Sequence, residues 1–311
     1  MLGGVSVIEV THLRKRYGAT VAVDEVSFTV ESGEIFGLLG PNGAGKTTTV
    51  ECTGGLRHRD GGRVSVMGLD PERDTAALRS VLGMQLQESQ LPEKLRVREA
   101  LELFASFYPN PDHPDRLLDE WGLRNKQNTA FRDLSGGQQQ RLSIALALIG
   151  RPRIAILDEL TTGLDPRARR DTWRLVERIR DSGVTVVLVT HYAAEAERLC
   201  DRVALIDRGR VVALGTPAEL VGRLTDAQRV RFRPADPFPD ELLTDLPEVT
   251  SLSRHGDVVE VAGSGDLLQA VTARLAHHRI VAADLRIEQA GLDDAVIALT
   301  GHASTVETEE A

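Results

Sequence analysis

Cysteine is nearly absent from this 311-residue sequence. Cys52 and Cys200 stand far apart, with no second pair and no histidine at metal spacing. That argues against a disulfide framework or a thiolate zinc site and leaves buried free thiols as the expectation. No stretch reaches the ~20 consecutive apolar residues needed to cross a bilayer. Met1-Leu2-Gly3-Gly4 lacks the basic start and apolar core of a secretion signal. A cytoplasmic location is therefore expected, with any membrane contact made through another protein. Positive charge is also in deficit. A formal net charge of -9 argues against a nucleic-acid partner or an anionic lipid surface, although Arg167, Arg169 and Arg170 form a local basic patch. Lysine occurs only as Lys15, Lys46, Lys94 and Lys126, so Lys46 is not the by-product of a lysine-rich surface.

What is present is an ordinary hydrophobic content of 41% in a chain long enough for one large domain and a small one. From Val5 to about Leu224, short β-branched runs alternate with helical patterns, as in an α/β domain with a largely parallel central sheet. Candidate strands are Val5 to Val10, Val21 to Val30, Ile35 to Leu39, Arg63 to Val66, Ile154 to Leu157, Val184 to Val189, Val203 to Asp207 and Val211 to Leu214. The first two and last two read as antiparallel edges. Leu95 to Trp121 has helical periodicity broken at Pro109-Asn110-Pro111 and reads as a helical lobe inserted into the sheet domain. After Leu224 the pattern restarts as βαββαβ plus a helix to Leu299, a small α+β domain of ferredoxin-like type. The expected limits are thus 1–224, 225–300 and an acidic, disordered tail over 301–311.

Gly40-Pro41-Asn42-Gly43-Ala44-Gly45-Lys46-Thr47 follows the apolar run Ile35 to Leu39 and fits the phosphate-binding loop G-x-x-x-x-G-K-[ST]. Glycines let the backbone turn its N–H groups toward a β-phosphate, and the start of the next helix adds to the anion field. Lys46 would neutralise β- and γ-phosphate oxygens. Thr47 offers a hydroxyl to the magnesium ion that accompanies a nucleoside triphosphate, and Thr48 extends the phosphate-binding set. A glycine turn capping an ordinary helix would not require the whole eight-position pattern.

Ile154-Ala155-Ile156-Leu157-Asp158-Glu159 is an apolar strand ending in two carboxylates, and in a parallel sheet such ends face the ligand crevice. Asp158 would hold magnesium, directly or through water, while Glu159 would polarise the water attacking the γ-phosphate. Alone, an Asp-Glu pair reads equally as a solvated turn. Leu134-Ser135-Gly136-Gly137-Gln138 opens a helical run to Ile149, with Ser135 at the N-cap position and two glycines able to bring N–H groups close to an anion.

Beside the phosphate loop, that serine-headed helix resembles the signature segment of the ATP-binding-cassette (ABC) ATPases. Further positions are similar one by one across the first domain. Tyr17 in Arg16-Tyr17-Gly18 resembles the aromatic that stacks on adenine. Gln87 resembles the glutamine that contacts magnesium and the attacking water, with Gln85 a rival for that role. Asp165 in Gly163-Leu164-Asp165-Pro166 resembles the aspartate of the loop crossing between subunits, and His191 the γ-phosphate histidine. Each alone has a plain structural reading: a strand-edge aromatic, a surface amide, a helix cap, a strand-end histidine. Leu160 departs from the family pattern, which usually has proline there; the change removes a backbone restraint and no catalytic atom.

The resemblance implies a P-loop ATPase that binds ATP and Mg2+ through Tyr17, Gly40, Pro41, Asn42, Gly43, Ala44, Gly45, Lys46, Thr47 and Thr48. Thr47, Gln87 and Asp158 would lie at the metal, and Lys46, Gln87, Glu159 and His191 at the reaction. Ser135, Gly136, Gly137, Gln138 and Asp165 would close the site of a second copy in an ATP-dependent homodimer. The load would be carried by integral membrane permease subunits, with Glu88 to Leu95 resembling the groove that receives their coupling helix; a merely flexible loop is the alternative. Gly291 to Gly301 resembles the end of the extension on drug-exporter subunits of the daunorubicin-resistance type. A soluble ABC ATPase and an ATP-binding regulator are the competing readings. The first would need a long coiled coil, a second cassette or zinc-binding cysteine pairs, and the second sits poorly with Glu159 and His191.

Overall fold

The structure, a computed structural model, describes residues 5–86, 91–222, 228–289 and 291–301. They pack as two compact units, one ending at Pro217 and one spanning Ala218–Gly301. The expected limit at residue 224 and residues 302–311 of the expected tail lie outside the described residues.

The first unit opens with β1 (Ser6–Tyr17), β2 (Thr20–Glu31), β3 (Ile35–Leu39), α1 (Lys46–Thr53) and β4 (Gly61–Val66). It continues through α2 (Thr75–Val81), β5 (Leu82–Gln85), α3 (Val97–Ala105), α4 (Pro114–Glu120) and α5 (Gly136–Leu148). Then come β6 (Ile154–Asp158), α6 (Pro166–Asp181), β7 (Thr185–Thr190), α7 (Ala193–Leu199), β8 (Arg202–Asp207) and β9 (Arg210–Gly215); α8 (Pro217–Gly222) starts at the boundary and belongs to the second unit from Ala218.

A six-stranded sheet of order β5-β6-β7-β3-β8-β9 forms the centre. All its pairings are parallel except β8 with β9, which a tight turn at Arg208-Gly209 folds back on each other. Every residue of β3, β6 and β7 is buried. Strands covered on both faces need no polar alternation, which is why they read as unbroken apolar runs. With β3, β6 and β7 parallel, their carboxyl ends, at Leu39, Asp158 and Thr190, lie along one edge.

The first two strands pair antiparallel, but with β4 they build a separate sheet of order β2-β1-β4 instead of an edge of the central one. One apolar core, including Leu13, Val23, Phe28, Phe36, Val50 and Ile206, joins the two sheets around α1. β5 is a strand that the pattern alone does not reveal, since it has four residues with Gly83 among them. The expected helical lobe is present as α3 and α4, and Pro109 to Pro111 fall between them. Arg98 and Arg124 both engage Asp115, tying α3, α4 and the following turn together. Cys52 and Cys200 are both buried and free.

The second unit holds β10 (Gln228–Pro234), α9 (Glu241–Thr244), β11 (Val249–His255), β12 (Val258–Gly263), α10 (Leu267–His277), β13 (Ala282–Gln289) and α11 (Leu292–Thr300). Its sheet runs β11-β12-β10-β13 with every neighbour antiparallel, the split βαβ order of a ferredoxin-like domain. Val230, Phe232, Val259, Val261, Leu267 and Val271 centre its own core. Among the described residues no helix is long and apolar enough to cross a membrane.

Candidate active site

Between β3 and α1 the chain turns through Gly40 to Gly45. Gly45 caps α1 at φ 99°, a left-handed conformation, and a Cβ there would collide with the carbonyl oxygen of Ala22. Only glycine fits that double constraint. No side chain caps the helix, so the N–H groups of its first turn are left to an external acceptor. Lys46 is buried, and its Nζ donates to the carbonyls of Gly40 at 2.7 Å and Pro41 at 2.9 Å. Burial pulls its pKa down, opposed by the charges of Glu159 and Asp158. The ammonium thus sits inside the loop, held by backbone oxygens that an anionic ligand would replace.

Thr47, on the first turn of α1, donates through Oγ1 to Asp158 Oδ2 at 3.2 Å. Asp158 ends β6 with no exposed surface, and its Oδ1 has no partner among the described residues. Burial, with the nearby Glu159 charge, pushes its carboxyl up to about 6. A buried carboxylate oxygen left over beside a hydroxyl is an oxygen donor set of the kind a hard divalent cation takes. Gln85, the rival glutamine, is committed to the backbone: Oε1 accepts from Asp158 N at 3.2 Å and Nε2 donates to Leu86 O at 2.9 Å. It clips β5 to the end of β6. Gln87 lies outside the described residues.

Glu159 has φ 49°, left-handed backbone at a residue with a Cβ, and its N–H donates to Val189 O at 2.9 Å. This re-aims its side chain away from that of Asp158. Its Oε1 lies 3.2 Å from His191 Nδ1, just beyond the end of β7, and both side chains are nearly buried. Leu160, where proline was expected, is 1% exposed, so apolar packing anchors the turn in place of a ring. Asn42, Gly43, Lys46, Thr47, Thr48 and Glu159 share one open cavity of about 320 Å³.

Gly45 lines it too, whereas Tyr17 and the residues expected to meet a second copy do not. Gly136 lines a separate one of about 610 Å³, together with Gln139, Gln140, Thr162 and Gly163. Ser135 is exposed at the head of α5, its N–H donating to Gln138 Oε1 at 3.1 Å, so Gln138 serves as part of the cap. Asp165 is exposed and caps α6, with Oδ1 accepting from Arg167 N and Ala168 N at 2.9 Å each; the Ala168 bond leads in holding its carboxyl below the usual range. Tyr17 ends β1 on the surface, with Lys15 Nζ 5.6 Å and the Arg57 guanidinium 5.9 Å from its ring centre. Of the loop expected to receive a partner, Leu91 and Glu93 line the larger cavity, and residues 87–90 are outside the described set.

Residues 23–162 match the ABC transporter family model. The Nod factor export ATP-binding protein I of Ralstonia nicotianae is 35% identical over 306 residues, spanning 96% of this chain and 95% of that protein. The chain belongs to the ABC transporter family. The daunorubicin/doxorubicin resistance ATP-binding protein DrrA of Streptomyces peucetius is likewise 35% identical, over 98% of this chain and 96% of its own length. Among solved structures, the ATP-binding subunit of an ABC transporter aligns with a TM-score of 0.64 at 30% identity, covering 70% of this chain and 93% of that one. A dimeric ATP-binding cassette in a post-hydrolysis state with ADP and phosphate aligns at 0.60 and 27%, covering 67% of this chain and 98% of its own. This ABC chain is an ATPase.

The backbone reversal at Glu159 and the clip made by Gln85 escape sequence reasoning, because neither leaves a pattern. Ala22, whose carbonyl closes against Gly45, escapes it as well; only the pairing of strands distant in sequence brings it there.

Proposed function

We propose that this ATPase powers an exporter, as a symmetric homodimer whose two composite pockets each join the Lys46 cradle of one copy to the Ser135 helix of the other. The observation that carries this reading is the split of the site within one chain. Lys46, Thr47, Asp158, Glu159 and His191 converge, whereas Ser135 and Asp165 point to solvent and Gly136 borders a different cavity. A closed C2 assembly would bring each half to its complement without altering either chain.

Lys46 neutralises β- and γ-phosphate oxygens, exchanging its two carbonyl partners for them. Thr47 and the free Oδ1 of Asp158 would hold Mg2+, which when bound offsets the charge of the phosphates. Glu159 takes a proton from the attacking water, and His191 orients both that carboxylate and the γ-phosphate. Tyr17 stacks on the adenine. Hydrolysis removes the contacts that hold the pair shut.

The load is a separate membrane subunit, which places the chain at the inner face of a membrane. Beside β5, an apolar groove runs past Leu56, Leu82, Met84 and Tyr108, and Phe107, 66% exposed, stands at its rim. A short helix of the permease would cover it. Relatives named for Nod factor export and for daunorubicin/doxorubicin resistance support export of a drug, antibiotic or lipid-like compound.

The test is the ATP-loaded Glu159→Gln protein followed by light scattering. A dimer that reverts to monomer when ATP is removed is expected, while a strictly monomeric ATP-bound protein overturns the composite pocket.

A further inference from the structure

Behind the catalytic edge lies a second carboxyl that the reaction does not use. Glu195, on α7, is 1% exposed. Its Oε1 accepts from the indole Nε1 of Trp173, on α6, at 3.1 Å, and its Oε2 has no direct partner among the described residues. Burial pushes its pKa up, against the Trp173 bond, the charge of Arg169 and the nearby hydroxyls of Thr190 and Thr161, neither of which reaches hydrogen-bond geometry with it; the Thr161 hydroxyl is itself without a partner among the described residues. A buried acid in such a place is costly unless its neighbours are held to it, and a leucine would fill similar volume without that cost.

Those neighbours are the flanks of the active site. Thr161 lies two residues beyond Glu159. Thr190 immediately precedes His191, and its hydroxyl also accepts from Tyr192 N at 3.0 Å. Trp173 and Arg169 belong to α6, the helix capped by Asp165. The Arg169 guanidinium stands 5.2 Å from the ring centre of Tyr192, and that ring packs 4.0 Å from the ring of His191. One buried side chain therefore faces the segment after the base, the segment before the histidine, and the helix that starts at the expected subunit boundary.

We propose that Glu195 is a positioning residue that ties the start of α7 to α6 through Trp173, and so holds His191, just ahead of α7, against Glu159 and carries displacement of α6 to that pair. This rests on the roles given to Glu159 and His191 above. The Trp173 bond favours a single arrangement of α6 and α7, where an apolar plug would let them slide. Misplacement of a catalytic pair by a fraction of an ångström affects turnover and leaves the cradle for ATP intact.

The experiment measures ATP hydrolysis across substrate concentration for Glu195→Gln, Glu195→Leu and Trp173→Phe, with binding of a fluorescent ATP analogue and the thermal midpoint of each. Glu195→Gln, which keeps shape and hydrogen bonding, is expected within about threefold of the parent kcat. Glu195→Leu is expected to lose roughly tenfold to a hundredfold in kcat, with KM and analogue affinity within about twofold and the thermal midpoint unchanged or higher. Trp173→Phe removes only the indole donor and is expected to lower kcat in the same selective way, which keeps the test open if the leucine variant does not fold. Parent-level kcat in folded Glu195→Leu or in Trp173→Phe overturns the proposal. So does a joint fall of kcat, affinity and midpoint, which marks a merely structural role. Glu159→Gln runs beside them: if it hydrolyses at the parent rate, the assignment of the base has failed, independently of Glu195.

Discussion

Asp158 is the residue whose environment is most at odds with its ordinary chemistry. Its carboxyl titrates near 6 when folded because burial and the Glu159 charge disfavour ionisation. The folded state binds this proton more tightly than the unfolded chain does. Its stabilising contribution is therefore fully present below pH ~4 and lost as pH rises through about 6. In metal-free protein at pH 7 the ionised carboxylate costs on the order of 1–3 kcal/mol. Asp158→Asn is accordingly expected to raise the urea midpoint of the metal-free protein at pH 7, to flatten that pH dependence, and to abolish stabilisation by Mg2+ with ATP. Lys46→Ala is expected to weaken ATP affinity by at least about tenfold, read by equilibrium binding, because a charge-assisted contact worth ~1.5–3 kcal/mol is removed. The types and order of these residues were legible in the sequence as a glycine-rich loop and an apolar strand ending in two carboxylates. The left-handed backbone of Glu159 was not. It depends on the Val189 carbonyl that receives its N–H, a contact made only when β6 and β7 lie side by side.

At the scale of elements, legibility followed burial. β3, β6 and β7 were readable as apolar runs because both their faces are covered. β1 and β2 were readable as strands, but the sheet they join was not, because bulges interrupt their alternation and nothing in a strand names its partner. β5 was hidden by its length and by Gly83. A Cβ at Gly83 would strike the carbonyl of Ala147 on α5, so the strand packs directly on helix backbone. Gly83→Ala is expected to cost about 1–3 kcal/mol by overpacking, measured by urea unfolding, with a loss of activity from the displaced Gln85 clip. On the groove beside this strand, Phe107→Glu is expected to leave the ATPase activity of the isolated protein unchanged and to abolish its recovery with membranes containing the permease.

Across the whole molecule, two units carry separate cores. The second was readable as βαββαβ because its short strands alternate with helical stretches, yet its purpose leaves no trace in residue chemistry. A fragment spanning residues 218–301 is expected to fold on its own, with cooperative thermal unfolding by circular dichroism; a noncooperative melt would make it dependent on the first unit.

The proposed division of the pocket between two copies has an arithmetic outcome when unlike copies are mixed. Lys46→Ala spoils the cradle and spares the serine-headed helix, while Ser135→Arg does the reverse. Either pure preparation is expected to be inert. In a mixed pair, the sound cradle of one chain meets the sound helix of the other, so one of two chambers is whole and the second is doubly broken. Two dead proteins, combined in a tube, would regain activity that neither possesses alone.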